Sequence, residues 1–426
     1  MIGINSPAAK TLLVLMAGGV AHAATQDPFP LYLQATYVEQ ETLGFLAPYR
    51  GPNSLTPNTG RETVDVTAFA GTRLWSDAEF WVNAEIDQGY GLDNTLGVAG
   101  FTSAEAYKVG SNSPYLRLPR AFFRQTLNLD DRTDEVDAAP NQVVTSRSAD
   151  RWVFTVGKLS VVDIFDTNQY AHDPRGDFLN WSIVDTGSFD YAADAWGYTV
   201  GAAAEWYEGC WTLRAGLFDL SDVPNSTRLD PGFHEFQMVG ELERRYSLLG
   251  QAGRIMLTVF DSRGRMRLVD EGLDIAAARR YRSRLGASLD LEQPISSQLG
   301  VFARVGKAAG NVEAYEFSDI DRTTASGLSL KGTAWGRPSD TFGLAGVING
   351  ISAARERYLN AGGLGLLIGD GKLPHPGPEK ILETYYDAAV WRLFQLTLDY
   401  QYIVNPAYNR DRGPVSVWAV RTHIQW

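Results

Sequence analysis

Disulfide chemistry is all but missing from this chain: its 426 residues include one cysteine, Cys210, which cannot form an intramolecular disulfide. An exported protein of this size must then hold itself together by hydrogen bonding and packing. Positive charge is scarce as well. The chain has 38 Lys+Arg against 50 Asp+Glu, a net charge of -12, which argues against nucleic acid as a partner because phosphate binding needs a basic surface. Beyond the first residues no unbroken apolar run reaches transmembrane-helix length. Of the five histidines only the distant His172 and His375 could be considered together, so no zinc site is expected. Gly362 to Gly371 (GGLGLLIGDG) lacks the strand-turn-helix context of a phosphate loop and reads as a connection. The run DDRTDEVD from Asp130 lacks the central glycine and closing glutamate of a calcium loop. No G-x-S-x-G elbow occurs, so neither an enzyme nor a cofactor is expected.

What the chain does have begins with Lys10, an apolar run from Thr11 to Val20, and Ala21-His22-Ala23. A basic start, a short apolar core and an A-x-A end describe a secretory signal over 1–23, leaving 24–426 as one mature domain. Aromatics then make up 12% of the residues, high for an acidic soluble protein. The decisive pattern has period two. In Val415 to Trp426 one face reads Trp418, Val420, Thr422, Ile424, Trp426 and the other Arg421, His423, Gln425. Its two tryptophans are about eight residues, roughly 27 Å, apart at strand rise. That spacing matches two aromatic girdles around an apolar band of about 25 Å. Phe394 to Val404, Glu79 to Asp87 and Leu299 to Gly306 repeat the alternation, whereas Trp152 to Leu159 is apolar on both faces and leaves its lipid side open.

About sixteen such strands are predicted: 32–40, 63–75, 78–89, 118–129, 150–159, 195–206, 210–220, 234–248, 253–263, 281–293, 297–307, 321–335, 340–352, 380–392, 393–404 and 415–426. Their connections alternate long and short, as external loops and periplasmic turns do in an outer-membrane barrel. Residues 130–149 break the rule, a twenty-residue acidic stretch at a short-turn position that reads as a mobile excursion. The fold expected is an all-β, transmembrane, antiparallel barrel, since only closure pairs every backbone group in lipid. A soluble β-sandwich or lectin-like binder is the competing fold. A barrel hydrolase would need a Ser-His pair that the alternation does not assemble.

Tyr170 to Tyr198 (YAHDPRGDFLNWSIVDTGSFDYAADAWGY), Arg50 to Leu55 (RGPNSL), Gly97 to Phe101 (GVAGF), Trp335 to Asp340 (WGRPSD) and the ending from Asp399 resemble the OprB-type carbohydrate-selective porins. The resemblance implies a sixteen-stranded channel in the bacterial outer membrane that passes monosaccharides such as glucose and similar small polar solutes. It also implies a terminal strand read by the barrel assembly machinery, and surroundings of outer-membrane lipid and lipopolysaccharide. A general diffusion porin or an organic-acid channel would share the fold and differ in lining charge.

A sugar pore should offer charged donors and acceptors side by side, with some aromatic surface. The longest external loop, 160–194, is expected to fold inward as a constriction and supplies Asp163, Asp166, Arg175, Asp177 and Trp181. By alternation Arg73, Glu85, Asp87, Arg120, Arg124 and Arg304 should line the facing wall. Arg120 and Arg124, flanked by Glu85 and Asp87, are expected to border the narrowest point.

Overall fold

The computed structural model describes residues 29–106, 108–271 and 278–426; the signal segment read over 1–23 lies outside the described residues. The first strands are β1 (Leu31–Thr42), β2 (Gly60–Trp75), β3 (Ala78–Gly89), β4 (Ser111–Asn128), β5 (Thr133–Val136), β6 (Thr145–Ser148), β7 (Arg151–Leu159), β8 (Thr199–Glu208) and β9 (Trp211–Asp219). They are followed by β10 (Phe236–Leu248), β11 (Gln251–Met266), β12 (Arg280–Pro294), β13 (Leu299–Ala308) and β14 (Arg322–Lys331). The last are β15 (Thr341–Gly350), β16 (Glu379–Trp391), β17 (Phe394–Val404) and β18 (Val415–Gln425). All but β5 and β6 form one closed barrel of sixteen antiparallel strands, sealed where β1 pairs with β18 from Gln34↔Gln425 to Thr42↔Val417. Closure leaves no unpaired edge.

Alternation decides which face each residue takes. On β17 Leu398 is 59% exposed while its neighbours Thr397 and Asp399 are buried. On β7, whose sequence was ambiguous, Phe154 and Val156 face outward and Val153 and Thr155 inward. An apolar exterior that includes Leu116 (69%) and Trp418 (54%) suits hydrocarbon and does not suit water. Long connections (43–59, 90–110, 160–198, 220–235, 267–279, 309–321, 351–378, 405–414) leave one rim, and the others leave the opposite rim. The strand predicted over 321–335 stops at Lys331, where residues 332–335 curl into a single turn that Gly336 ends at φ 76°.

Residues 129–150 correct one expectation. They form a structured hairpin and not a free excursion: β5 and β6 pair from Thr133↔Ser148 to Val136↔Thr145, and Val143 between them packs among Phe69, Trp81 and Phe122 inside the barrel. The Trp81 indole lies where a Cβ on Gly71 would stand, 2.6 Å away, so this inward packing needs glycine there. Much of the remaining interior is filled by the long connections, whose Phe165, Phe189, Tyr315 and Tyr408 form a buried cluster with the wall residues Phe218 and Phe260.

Candidate functional site

The connection 160–198 turns into the barrel and carries a short helix, α1 (Trp181–Val184). A loop taken inside a barrel needs partners for its amides and carbonyls. The wall supplies them from alternate strand positions. Glu241 on β10 accepts the Asp166 N–H at 2.8 Å and Glu292 on β12 accepts that of Gln169 at 2.8 Å. Glu383 on β16 accepts the amides of Leu179 and Asn180, and Gln237 accepts that of Ala192 at 2.9 Å. Arginines take the carbonyls. Arg304 on β13 donates to Ile183 O at 2.6 Å and Ala171 O at 2.9 Å while pairing with Asp290 at 2.6 Å. Arg421 on β18 donates to Pro174 O and Asp177 O, each at 2.7 Å. Arg284 on β12 pairs with Asp190 at 2.7 Å, both fully buried.

This packing crowds the loop against β10, β12, β13 and β16, with Arg421 of β18 at its margin, and leaves space on the other side. A cavity of about 360 Å³ lies between the loop and the strands β1, β2, β4 and β18, which contribute Gln34, Phe69, Arg120 and His423. Arg120 lays its fork on Asp163, with contacts of 2.8 and 2.6 Å, the planar bidentate geometry that only arginine offers. Arg175 reaches from the loop to Glu105 at 3.1 Å and to Asp65 at 3.6 Å. Behind them Arg117 on β4 holds Glu85 and Asp87 of β3. Aromatic surface accompanies the charge: the Tyr198 ring lies 5.0 Å from the Arg120 guanidinium, with Trp196 and Phe69 also in the wall. Side-by-side donors, acceptors and ring faces can together satisfy a polyhydroxylated solute that also has C–H faces.

Of the residues singled out from sequence, Arg120, Asp163 and Arg175 meet at this cavity, with Glu85 and Asp87 as their charged backing. Trp181 lines it too, but its ring is stacked at 5.1 Å on Phe101 and only 2% exposed. Asp166, Asp177 and Arg304 are instead spent on the loop itself. Asp166 accepts from the Thr186 amide (2.6 Å) and hydroxyl (2.7 Å), and Asp177 accepts from the amides of His172 (3.2 Å) and Asp173 (3.1 Å). Arg124 turns to Glu79 (2.8 Å) and Asn141 O (2.9 Å) in an adjoining cavity, and Arg73 donates to Val144 O at the short-turn rim.

Sequence reasoning missed Arg117, Glu105, Asp65 and Tyr198. Strict alternation with Arg120 inward sends Arg117 outward, yet both point in. The pairing slips between Asn83↔Arg120 and Glu85↔Arg117, placing one extra residue on β4 beside Pro119. A proline inside a strand marks such a bulge, because it cannot donate to the ladder. That was the available signal.

Burial and charge set the ionisation of the loop groups. Burial lifts the Glu105 carboxyl to about 7, against the pull of Arg175. Burial also acts to raise Asp163, but the Arg120 guanidinium outweighs it and holds the carboxyl below the usual range. Burial pulls the His172 imidazole down, and the Asp185 carboxylate 3.6 Å away more than reverses that. Among the described residues Asp65, Glu85 and Asp87 bring carboxylate oxygens within 4.8 Å of one another, as metal ligands would be. Arg117 and Arg175 already stand against them, so the cluster forms an ion-pair network with guanidiniums in the cation positions.

The family model described as "Carbohydrate-selective porin, OprB family" matches residues 58–426. The chain superposes on a high-pH structure of Pseudomonas putida OprB with a TM-score of 0.72, at 16% identity and covering 94% of each chain. A low-pH structure of the same protein gives 0.52 at 13% identity, covering 100% of this chain and 98% of that one. The outer-membrane channel DcaP of Acinetobacter baumannii gives 0.53 at 12% identity, covering 93% and 97%. At such identities these likenesses establish the fold. Among curated protein sequences nothing matches.

Proposed function

The chain belongs to the OprB family of carbohydrate-selective porins, channels of the bacterial outer membrane, and we propose that its own solutes are monosaccharides such as glucose, passing between the inserted loop and the strands β1, β2, β4 and β18. The observation that supports this path is the pairing of Arg120 with Asp163 and of Arg175 with Glu105 around one cavity, beside the Tyr198 ring. Each pair presents a planar donor next to an acceptor. A sugar hydroxyl gives and takes a hydrogen bond at once, so it can enter such a pair without leaving either charge unmet. A free anion would find Asp163 and Glu105 in its way, which favours neutral solutes over organic acids.

On this reading Arg120, Arg175, Asp163 and Tyr198 touch the solute. Glu85 stands 3.9 Å from Arg175 and, with Asp87, holds Arg117 behind it, and Asp166, Asp177 and Arg304 keep the loop in place. The outward apolar belt meets membrane lipid and lipopolysaccharide, and the terminal strand ending in Trp426 is the segment that the barrel assembly machinery reads. Liposome swelling with a panel of sugars tests the reading: glucose should enter much faster than trisaccharides or sugar acids. Equal rates for all of them would mean general diffusion.

A further inference from the structure

One element has no part in that account: the hairpin over 129–150, entering from the short-turn rim. Its tip is Pro140-Asn141, closed by reciprocal backbone bonds between Ala139 and Gln142 of 3.0 and 2.9 Å. Proline fixes the first corner, and Asn141, at φ 60°, takes the left-handed second corner that asparagine tolerates. The arm behind the tip is anchored on three sides. The Val143 side chain sits among Phe69, Trp81 and Phe122, and its amide donates to Glu79 at 2.9 Å. Arg124 bridges Glu79 and Asn141 O at 2.8 and 2.9 Å. At the rim Thr145 donates to Asp77 at 3.0 Å and the Ser148 amide to Asn128 at 2.9 Å.

We propose that this hairpin is the lower jaw of the constriction, its Pro140-Asn141 tip setting the pore width together with Asp163 and His172 of the external loop. Two cavities, of about 360 and 330 Å³, adjoin here, and the residues they share are Pro140, Asn141, Asp163 and His172. A solute moving from the first cavity into the second passes between the two jaws. The Asn141 side-chain oxygen is buried there and has no hydrogen-bond partner among the described residues. Because one jaw comes from each rim, the gap is held by two independently anchored segments. The inference rests on the cavity being the solute path.

The experiment is single-channel recording in KCl with two variants. The first is Asn141→Cys in a Cys210→Ser background, which removes the exposed native thiol, treated with a charged methanethiosulfonate reagent. Modification should cut the conductance by about half or more, since added bulk at a constriction acts directly on flow. In the second, residues 132–147 are replaced by two glycines, and conductance should rise about twofold while disaccharide swelling accelerates. Conductance unmoved by thiol modification overturns the proposal, whether or not the deletion variant assembles. Glucose swelling of the unaltered protein separates the two claims: its failure would remove the sugar reading, whereas the KCl current still reports whether the tip stands in the path.

Discussion

Arg304, on β13, gives two of its nitrogens to backbone carbonyls of the inserted connection, whereas Arg120, on β4, lays its fork on a single carboxylate. Both are wall arginines that alternation turns inward, and both have an acidic partner. Their surroundings separate them. The Arg304 side chain is 0% exposed, and Arg120 keeps 15% toward the cavity. On the crowded side of the barrel the wall charges satisfy a loop that would otherwise bring bare amides and carbonyls into the lumen. On the open side the charges satisfy each other, and an ion pair with water beside it can exchange one partner for a hydroxyl. The same residue type is thus structural or solute-facing according to whether its partner is backbone or side chain.

The contrast is broken most severely at Arg304. Arg304→Met keeps the bulk but leaves Asp290 buried without its cation, and we expect a loss of about 3–5 kcal/mol. This should be read as a lower midpoint for heat-induced unfolding in detergent; an unmoved midpoint would mean that Arg304 does not hold the loop. Glu241 sharpens the point from the acceptor side. It meets the Asp166 amide, the Thr258 hydroxyl and Arg214. Glu241→Gln should cost about 1–3 kcal/mol, because a charged acceptor is weakened and Arg214 loses a partner.

Arg120→Met should cost less, about 1–2 kcal/mol, because the Asp163 carboxylate it leaves keeps 28% exposure toward a cavity that water can fill. A large drop there would erase the distinction between the two sides. The smallest effect is a pH dependence at Glu105. Burial, the largest cause, raises its carboxyl from the ordinary 4.5 to about 7, so it is neutral below that range and ionised above it. The folded form therefore holds this proton more tightly than the unfolded chain does. The stability it contributes is full at low pH and fades as pH rises from about 4.5 through about 7. Ionisation adds negative charge to the cavity, so the preference for potassium over chloride should rise across pH 7. Reversal potentials in Glu105→Gln should lose that step.

Much of this was legible in the residues. All sixteen barrel strands could be placed, most of them from period-two alternation, because a strand between lipid and water has only one way to face; Trp152 to Leu159, apolar on both faces, could be placed but not oriented. The inward loop was readable from the aromatic and charged residues it would otherwise expose, among them Phe165, Tyr170, Phe178 and Trp181. The site itself was readable only in part. Asp166 and Arg175 look alike as charged loop residues, and which of them turns toward the loop and which toward the cavity is set by contacts between elements far apart in sequence. Arg117 was hidden by a one-residue bulge that inverts the alternation upstream of Pro119. The hairpin over 129–150 was seen as an anomaly of length, but its inward course depends on the Val143 contact with three aromatic rings of the wall, which no local pattern records.

Glucose titration of the single-channel current, in the unaltered protein and in Arg120→Met, tests the division between the two sides most directly. We expect a saturable fall in current in the unaltered protein and a block weakened by roughly tenfold in the variant, the equivalent of about 1.4 kcal/mol. Glucose block of equal strength in both proteins, or none in either, would contradict it.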